Sequence, residues 1–314
     1  MNKPVLGVII GPTAVGKTTI SIEVAKRMDA EIISADSIQI YRGMDIGSAK
    51  PTIYERKDIP HHLIDIVDID ASFSVAEYQG LAQACIADTY SRGIFPIVSG
   101  GTGLYVNSLI FPLDFATIPA DEALRSSLNE LENTTPGALH DMLRMLDEKA
   151  AVRLHRNDRK RLVRAIEICK LTGSTMDSIG GDFANKAKKE IPYEPVIFGL
   201  TMQREALYER INTRVDVMMS AGLLCEVRRI LENGYDPQLT ALQGLGYKQL
   251  ILYLHGKYTI EEAVNAIKME TRRFAKRQLT WFKRDQRIQW IDMGLISQRE
   301  AVDIITDAFT IAGR

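Results

Sequence analysis

Three cysteines in 314 residues, far apart at Cys85, Cys169 and Cys225, leave nothing for a disulfide framework and form no C-x-x-C ligand pair. They read as incidental thiols of a reducing compartment, and a cytoplasmic location is expected. No apolar run approaches the roughly 20 residues that a membrane-spanning helix needs. Met1 leads through one lysine into the first apolar run, so no secretory or transit segment is expected. His61 and His62 are adjacent and on a strand would face opposite ways, which argues against a two-histidine metal site. Aromatics are sparse, at 7%, and 39 basic residues against 40 acidic ones leave a net charge of −1. Overall charge therefore offers nothing to attract nucleic acid, and any such surface must be local. There is no internal repeat and no low-complexity segment. The 46% hydrophobic content is enough for one large core or two smaller ones.

What is present begins with Gly11-Pro12-Thr13-Ala14-Val15-Gly16-Lys17-Thr18. This matches the phosphate-binding pattern G-x-x-x-x-G-K-[ST] and lies between an apolar run, Val5 to Ile10, and a helical pattern from Thr18 to Met28. In that setting successive backbone N–H groups and the helix N-terminus close around a di- or triphosphate. Lys17 would neutralise the outer phosphates, and the Thr18 hydroxyl would ligate Mg²⁺.

Further along, Glu31–Ala35, His62–Val67 and Ile94–Val98 read as strands, with a helix over 74–91 capped by Ser72 or Ser74 and a short helix from Leu104. Alternation at this spacing predicts an α/β fold with a P-loop NTPase-like parallel sheet flanked by helices. From 114 to 195 the texture changes to short helices (121–132, 136–146, 148–155, 158–171), with Thr135-Pro136 and Asn157 as starts, Gly173 as a stop and a polar stretch from Ser174 to Lys189. We read 114–195 as an α-helical insertion domain between core segments 1–113 and 196–314. A strand at 196–200, helices over 205–232, 246–254 and 260–284, and a last strand at 288–291 complete the core.

Several polar residues carry more than one reading. Asp36, at a strand end beside the loop, could cap a turn, hold Mg²⁺ through water or act as a general base. Arg210 and Arg214 could pair with Glu205 and Glu209 on a surface or reach into the phosphate site. Ser99-Gly100-Gly101-Thr102 stands where many ATPases carry an acid, which weakens an ATP-hydrolysing reading. Charge is uneven as well. Arg153, Arg156, Arg159, Lys160, Arg161 and Arg164 form one basic segment. Lys268, Arg272, Arg273, Lys276, Arg277, Lys283, Arg284 and Arg287 form another, with Trp281 and Phe282 among them. Such mixtures suit phosphate neutralisation and base stacking.

Seven segments together resemble the bacterial tRNA dimethylallyltransferase family: the loop 11–18, Ile-Ser-Ala-Asp-Ser-Ile-Gln-Ile-Tyr (33–41), Gly-Met-Asp-Ile-Gly-Ser-Ala-Lys-Pro (43–51), Gly-Gly-Thr-Gly-Leu-Tyr (100–105), Asn157-Asp158 leading to Arg164-Ala165-Ile166-Glu167, Gln-Gly-Leu-Gly-Tyr-Lys (243–248), and Thr271 to Phe282. The resemblance implies that the loop holds dimethylallyl diphosphate with Mg²⁺. The acceptor would be the exocyclic amine of the adenosine 3′ of the anticodon in a tRNA anticodon stem-loop. It implies Asp36 as the base, Lys17, Thr18 and Arg214 on the diphosphate, and Thr102 near the reacting groups. Contacts to tRNA are implied for Asp36, Ser37, Ile38, Gln39, Thr102, Arg125, Lys160, Arg161, Arg164, Gln243, Gly246, Tyr247, Lys248, Lys276, Arg277, Trp281 and Lys283. We expect a monomer without membrane contact. A small-molecule or nucleotide kinase and a prenyltransferase acting on free AMP or ADP are the alternatives. Neither gives the two basic segments a purpose.

Overall fold

The structure is a computed structural model that describes residues 3–113, 120–175 and 190–313. Six strands form one parallel sheet: β1 (Val5–Ile10), β2 (Ala30–Ala35), β3 (His61–His62), β4 (Phe95–Gly100), β5 (Glu194–Thr201) and β6 (Gln289–Asp292), in the order β3-β2-β4-β1-β5-β6. Every residue of β1 and β2 is buried, because helices cover both sheet faces, and their sequences are correspondingly apolar or small apart from Glu31, whose carboxylate is bonded to Arg92 and His62. The register pairs Ile10 with Gly100 and Ala35 with Gly100. The carboxyl ends of β1, β2 and β4 therefore stand side by side, and the loops leaving them share one crevice.

Thirteen α-helices belong to the described residues: α1 (Lys17–Met28), α2 (Ile53–Arg56), α3 (Val75–Ser91), α4 (Gly103–Ile110), α5 (Glu122–Thr134), α6 (Ala138–Leu146), α7 (Glu148–Arg153), α8 (Arg159–Thr172), α9 (Arg204–Ser220), α10 (Leu223–Glu232), α11 (Tyr247–Leu254), α12 (Ile260–Phe282) and α13 (Gln298–Ala312). The chain divides into two compact units, 1–110 with 191–314, and 111–190. In the first, Ile9, Ile20, Val24, Phe198, Leu207 and Phe309 belong to the core around the sheet. A second cluster joins Met44, Val227, Leu242, Tyr247 and Ile267. The other unit, all helical where described, packs Leu128, Leu139, Leu143, Leu162 and Ile166 in a core of its own.

Several local expectations need correction. The third strand is only His61–His62, and Val67 makes an isolated bridge to Tyr41. Leu63 and Asp65 both adopt positive φ, which breaks the extended run. The helix expected over 205–232 is two helices, because Gly222 takes φ 100° and ends the first. Thr135-Pro136 does not cap α6, whose N-cap is Gly137, and Asp158 rather than Asn157 caps α8, accepting from Arg161 N. Strand β5 starts at Glu194, so residues 194 and 195 belong to the sheet. Helix α13, packed on α1 and the sheet, was not anticipated. Ser74 and Glu77 do form the capping box of α3, and Gly173 ends α8 in the left-handed region. The polar stretch from Ser174 falls almost wholly outside the described residues.

Candidate active site

The loop after β1 closes as its sequence demands. Gly11 (φ 154°), Ala14 (φ 66°) and Gly16 (φ 109°) take backbone conformations that let the chain fold back on itself. A Cβ on Gly11 would stand 2.6 Å from Leu200 O, so only glycine fits against β5 there. Gly16 is the N-cap of α1 and has no side chain to satisfy the first N–H groups of that helix, which leaves them for an anion. Lys17 Nζ donates to Gly11 O (3.0 Å) and Pro12 O (2.8 Å), arching over the loop. Burial, with Arg214 nearby, pushes its ammonium down to about 7, and Asp36 opposes the shift.

Arg214 comes from α9 and reaches Thr13 Oγ1 with Nη1 at 3.5 Å. Burial lowers its pKa and the carboxylates Asp36 and Glu55 counter this. It is therefore buried against the loop rather than spread on the surface. Arg210, one turn earlier, also lines the cleft, with Nη2 3.8 Å from where a Cβ on Gly16 would stand. Three cations, Lys17, Arg210 and Arg214, thus surround one loop.

Asp36 follows β2. Its Oδ1 accepts from Ile38 N (2.9 Å) and Gln39 N (3.3 Å), so the turn-capping reading is realised on one oxygen while Oδ2 carries no hydrogen bond among the described residues. Thr102 holds this turn from β4: its N donates to Ala35 O and its Oγ1 accepts from Ser37 N at 3.0 Å. Ser99 bonds Ser21 of α1 at 2.7 Å. Gly100 is obligatory, since a Cβ there would lie 2.2 Å from Ala35 O in the neighbouring strand.

Gln278 of α12, to which sequence reasoning gave no role, ties two parts of the site together. Buried, it accepts from Thr13 N (2.9 Å) and donates to Gly101 O (2.8 Å), clamping the phosphate loop to the end of β4. A long-range contact of a glutamine with two backbone groups leaves no periodic trace in sequence.

Three pockets adjoin here. A cleft of about 1160 Å³ runs along Gly16, Lys17, Thr18, Arg210 and Arg214. A pocket of about 90 Å³ lies under the loop, bounded by Lys17, Thr18, Ser21, Asp36, Ser99 and Gln278. A third, about 310 Å³, is lined by Asp36, Ser37, Ile38, Thr102, Gln243, Gly246, Lys248, Phe274 and Arg277. Thr13, Asp36 and Arg214 line both the second and the third, so the two pockets meet at these residues. Among the residues around the small pocket, the hydroxyls of Thr18, Ser21 and Ser99 and the Asp36 carboxylate offer the oxygen donors that a hard cation such as Mg²⁺ takes, beside the cationic Lys17 and Arg214. Gln39 lines it too, bonding Ser34 and reaching Ser48 O and Ala49 O.

The expected nucleic-acid residues divide. Lys276, Arg277 and Lys283 are exposed on or just after α12, whereas Lys268 pairs with Asp216, Arg273 with Glu270, and Arg272 donates to Asn212. Phe282 is in the core. Trp281 is half-buried against Gly103, where a Cβ would stand 2.4 Å from the indole, which leaves only part of its ring open. Tyr247 is fully buried and donates to Glu226 at 2.7 Å, which removes it from any contact surface. In the helical unit Arg125 and Arg164 both pair with Glu167, which is itself fully buried. Burial alone would raise the Glu167 pKa, but these two cations and Asp121 N–H bring it below the usual value. Arg161 pairs with Asp158, and Lys160 is exposed.

Fold and site together define a P-loop α/β protein whose cradle sits beside a carboxylate and adjoins a further pocket of about 310 Å³. Comparison with known proteins narrows this. A family profile described as IPP transferase matches residues 39–285, and one described as isopentenyl transferase matches 4–70. A tRNA dimethylallyltransferase of Alkaliphilus metalliredigens is 47% identical over 306 residues, 97% of this chain and 96% of that protein. The tRNA isopentenylpyrophosphate transferase of Bacillus halodurans superposes with a TM-score of 0.73 at 43% identity, covering 99% of this chain and 97% of that one. A eukaryotic dimethylallyltransferase acting on tRNA reaches 0.79 at 28% identity over 98% of this chain and 80% of its own. The chain belongs to the tRNA dimethylallyltransferase family.

Proposed function

We propose that this enzyme transfers a dimethylallyl group from dimethylallyl diphosphate to N6 of the adenosine 3′ of the anticodon in tRNA, releasing diphosphate. The observation that carries the reading is that Thr13, Asp36 and Arg214 line both the pocket under the phosphate loop and the pocket facing Gln243–Lys248. A diphosphate ester held by the loop and an amine entering from the other side would meet beside the Asp36 carboxylate.

The N6 amine attacks C1 of the dimethylallyl group, the C1–O bond breaks, and diphosphate leaves with the electron pair. Asp36 Oδ2 takes a proton from N6, which matters because an adenine amine is a weak nucleophile. Charge that builds on the departing diphosphate is met by the loop N–H groups, Lys17, Arg210 and Arg214, all preset before the reaction. Mg²⁺, held through Thr18, would supply further charge neutralisation on the diphosphate. Thr102 fixes the turn that aims Asp36. The adenine must leave its stack to reach this depth. Lys276, Arg277 and Lys283 would neutralise tRNA phosphates along α12, and Lys160 and Arg161 would do so on α8.

The test is incubation with labelled dimethylallyl diphosphate, Mg²⁺ and unmodified tRNA, followed by nuclease digestion and mass spectrometry. Label on N6 of that one adenosine is expected. Rapid ATP hydrolysis without prenyl transfer would instead favour the kinase or NTPase alternative, and transfer to free AMP at comparable efficiency would favour the nucleotide prenyltransferase.

A further inference from the structure

Glu226 lines none of the three pockets described above, yet its carboxylate is among the most heavily bonded groups of the core. It sits on α10, 4% exposed. Its Oε2 accepts from Asp45 N (3.0 Å) and Ile46 N (2.8 Å), and its Oε1 accepts from Gly47 N (3.1 Å) and the Tyr247 hydroxyl (2.7 Å). Three successive amides converging on one carboxylate form an anion nest, occupied from within the chain.

The segments joined this way are the walls of the proposed acceptor pocket. Gly47, Ser48 and Ala49 stand on one side, and Gln243, Gly244, Gly246 and Lys248 on the other. Tyr247 belongs to the second wall and lies against the first so closely that a Cβ on Gly47 would stand 2.5 Å from its ring. At its far end the first wall is tied by Lys50, whose ammonium donates to Tyr41 O and bridges Asp45 and Asp65.

We infer that Glu226 is a positioning residue for the acceptor: by holding the 45–47 amides and Tyr247 on one carboxylate, it sets the spacing between the two walls of the pocket that receives the adenine. The inference rests on the proposed tRNA acceptor. The diphosphate cradle, built from the phosphate loop, Lys17 and Arg214, makes no bond to Glu226; Asp45 and Ile46 border the cleft beside Lys17, whereas Gly47, residues 243–246 and Lys248 line the acceptor pocket, so the larger effect falls on the acceptor side. A carboxamide cannot replace the carboxylate, because four donors converge on its two oxygens and an NH₂ group would face at least one N–H.

The test compares wild type, Glu226→Gln and Tyr247→Phe in steady-state transfer to tRNA, with the donor Kd measured separately by calorimetry and hydrogen exchange followed at amides 45–47. All measurements are made well below each variant's Tm. For Glu226→Gln, kcat/KM for tRNA should fall about tenfold or more, the scale of a lost charge-assisted bond together with a buried donor left unmet. Exchange at 45–47 should accelerate and the donor Kd should stay within about twofold. Tyr247→Phe keeps the amide nest and should lower kcat/KM for tRNA in the same direction by a smaller factor, which keeps the inference open to test should Glu226→Gln fail to fold. A lowered Tm with unchanged kinetics in the folded variants would make Glu226 purely structural and overturn the inference. A weakened donor Kd with tRNA kinetics intact would overturn it too. A wild-type enzyme that transfers nothing to tRNA would instead sink the underlying reading, while accelerated exchange in the variants would still report the tie between the walls.

Discussion

Gly101→Ala is a one-methyl perturbation whose consequence follows from a single distance. The backbone of Gly101 is outside the positive-φ region, so alanine is conformationally allowed there. Its Cβ would stand 2.3 Å from Gln278 Nε2, while the next contact, Gly11 O at 3.4 Å, is ordinary. The glutamine must move, and moving it breaks both the Gly101 O and Thr13 N bonds at once. One buried and one partly buried bond at about 1 kcal/mol each, with their partners left unmet, put the loss at roughly 2–4 kcal/mol. Part of it should appear as weaker donor binding, because Thr13 N lies in the phosphate loop. Gln278→Ala removes the same two bonds and should cost a similar amount. In the double variant the methyl has nothing left to strike, so Gly101→Ala should be close to neutral in that background, within about 0.5 kcal/mol. Urea unfolding and donor titration of the four proteins complete the cycle. Additive losses would show that Gly101 is glycine for a reason other than the glutamine clamp.

Asp36→Asn should lower kcat by about 10²–10⁴-fold while tRNA binding survives, and near-wild-type single-turnover rates would leave Asp36 only its turn-capping role. Lys17, pushed down to about 7 in the empty site, should regain its proton when diphosphate binds. At pH 8 about 0.9 proton should be taken up per donor bound and at pH 6 about 0.1, read by calorimetry in buffers of different ionisation heat, with no such uptake in Lys17→Arg. The same lowered pKa means that the unfolded chain binds more protons between pH 7 and 10.5, so Lys17's contribution to the stability of the empty fold should rise with pH across that window. Replacing Lys276 and Arg277 by alanine should weaken all substrate tRNAs alike and flatten log K against log salt by about 1–2 in slope; an unchanged slope in filter binding would take α12 out of the interface.

Much of the candidate site was legible in the chain because its parts are local. Phosphate loop, strand end and Gly-rich turn each declare themselves within a few residues, since each is a backbone conformation that only certain side chains permit. Parallel strands at their spacing then bring Gly11, Asp36 and Thr102 together with no further information, because adjacent strands of one sheet end on one side. The resemblance supplied Arg214 as well, where helical spacing alone left it level with a surface ion pair.

What the linear pattern could not convey is which polar groups consume one another. Arg125 and Arg164 look like free cations in sequence, but Glu167, buried in the same unit, takes both. Tyr247 resembles a contact residue, and Glu226, 21 positions away, uses its hydroxyl. Gln278 reaches a loop 265 positions earlier and Arg214 one 201 positions earlier. Local propensity determines how each segment bends, and so the strand–loop–helix order and the phosphate loop could be read directly. Pairing among distant side chains costs loop closure and desolvation that only the packed chain repays, so the clamp at Gln278, the nest at Glu226 and the division of the basic residues into structural and exposed sets came from tertiary packing alone.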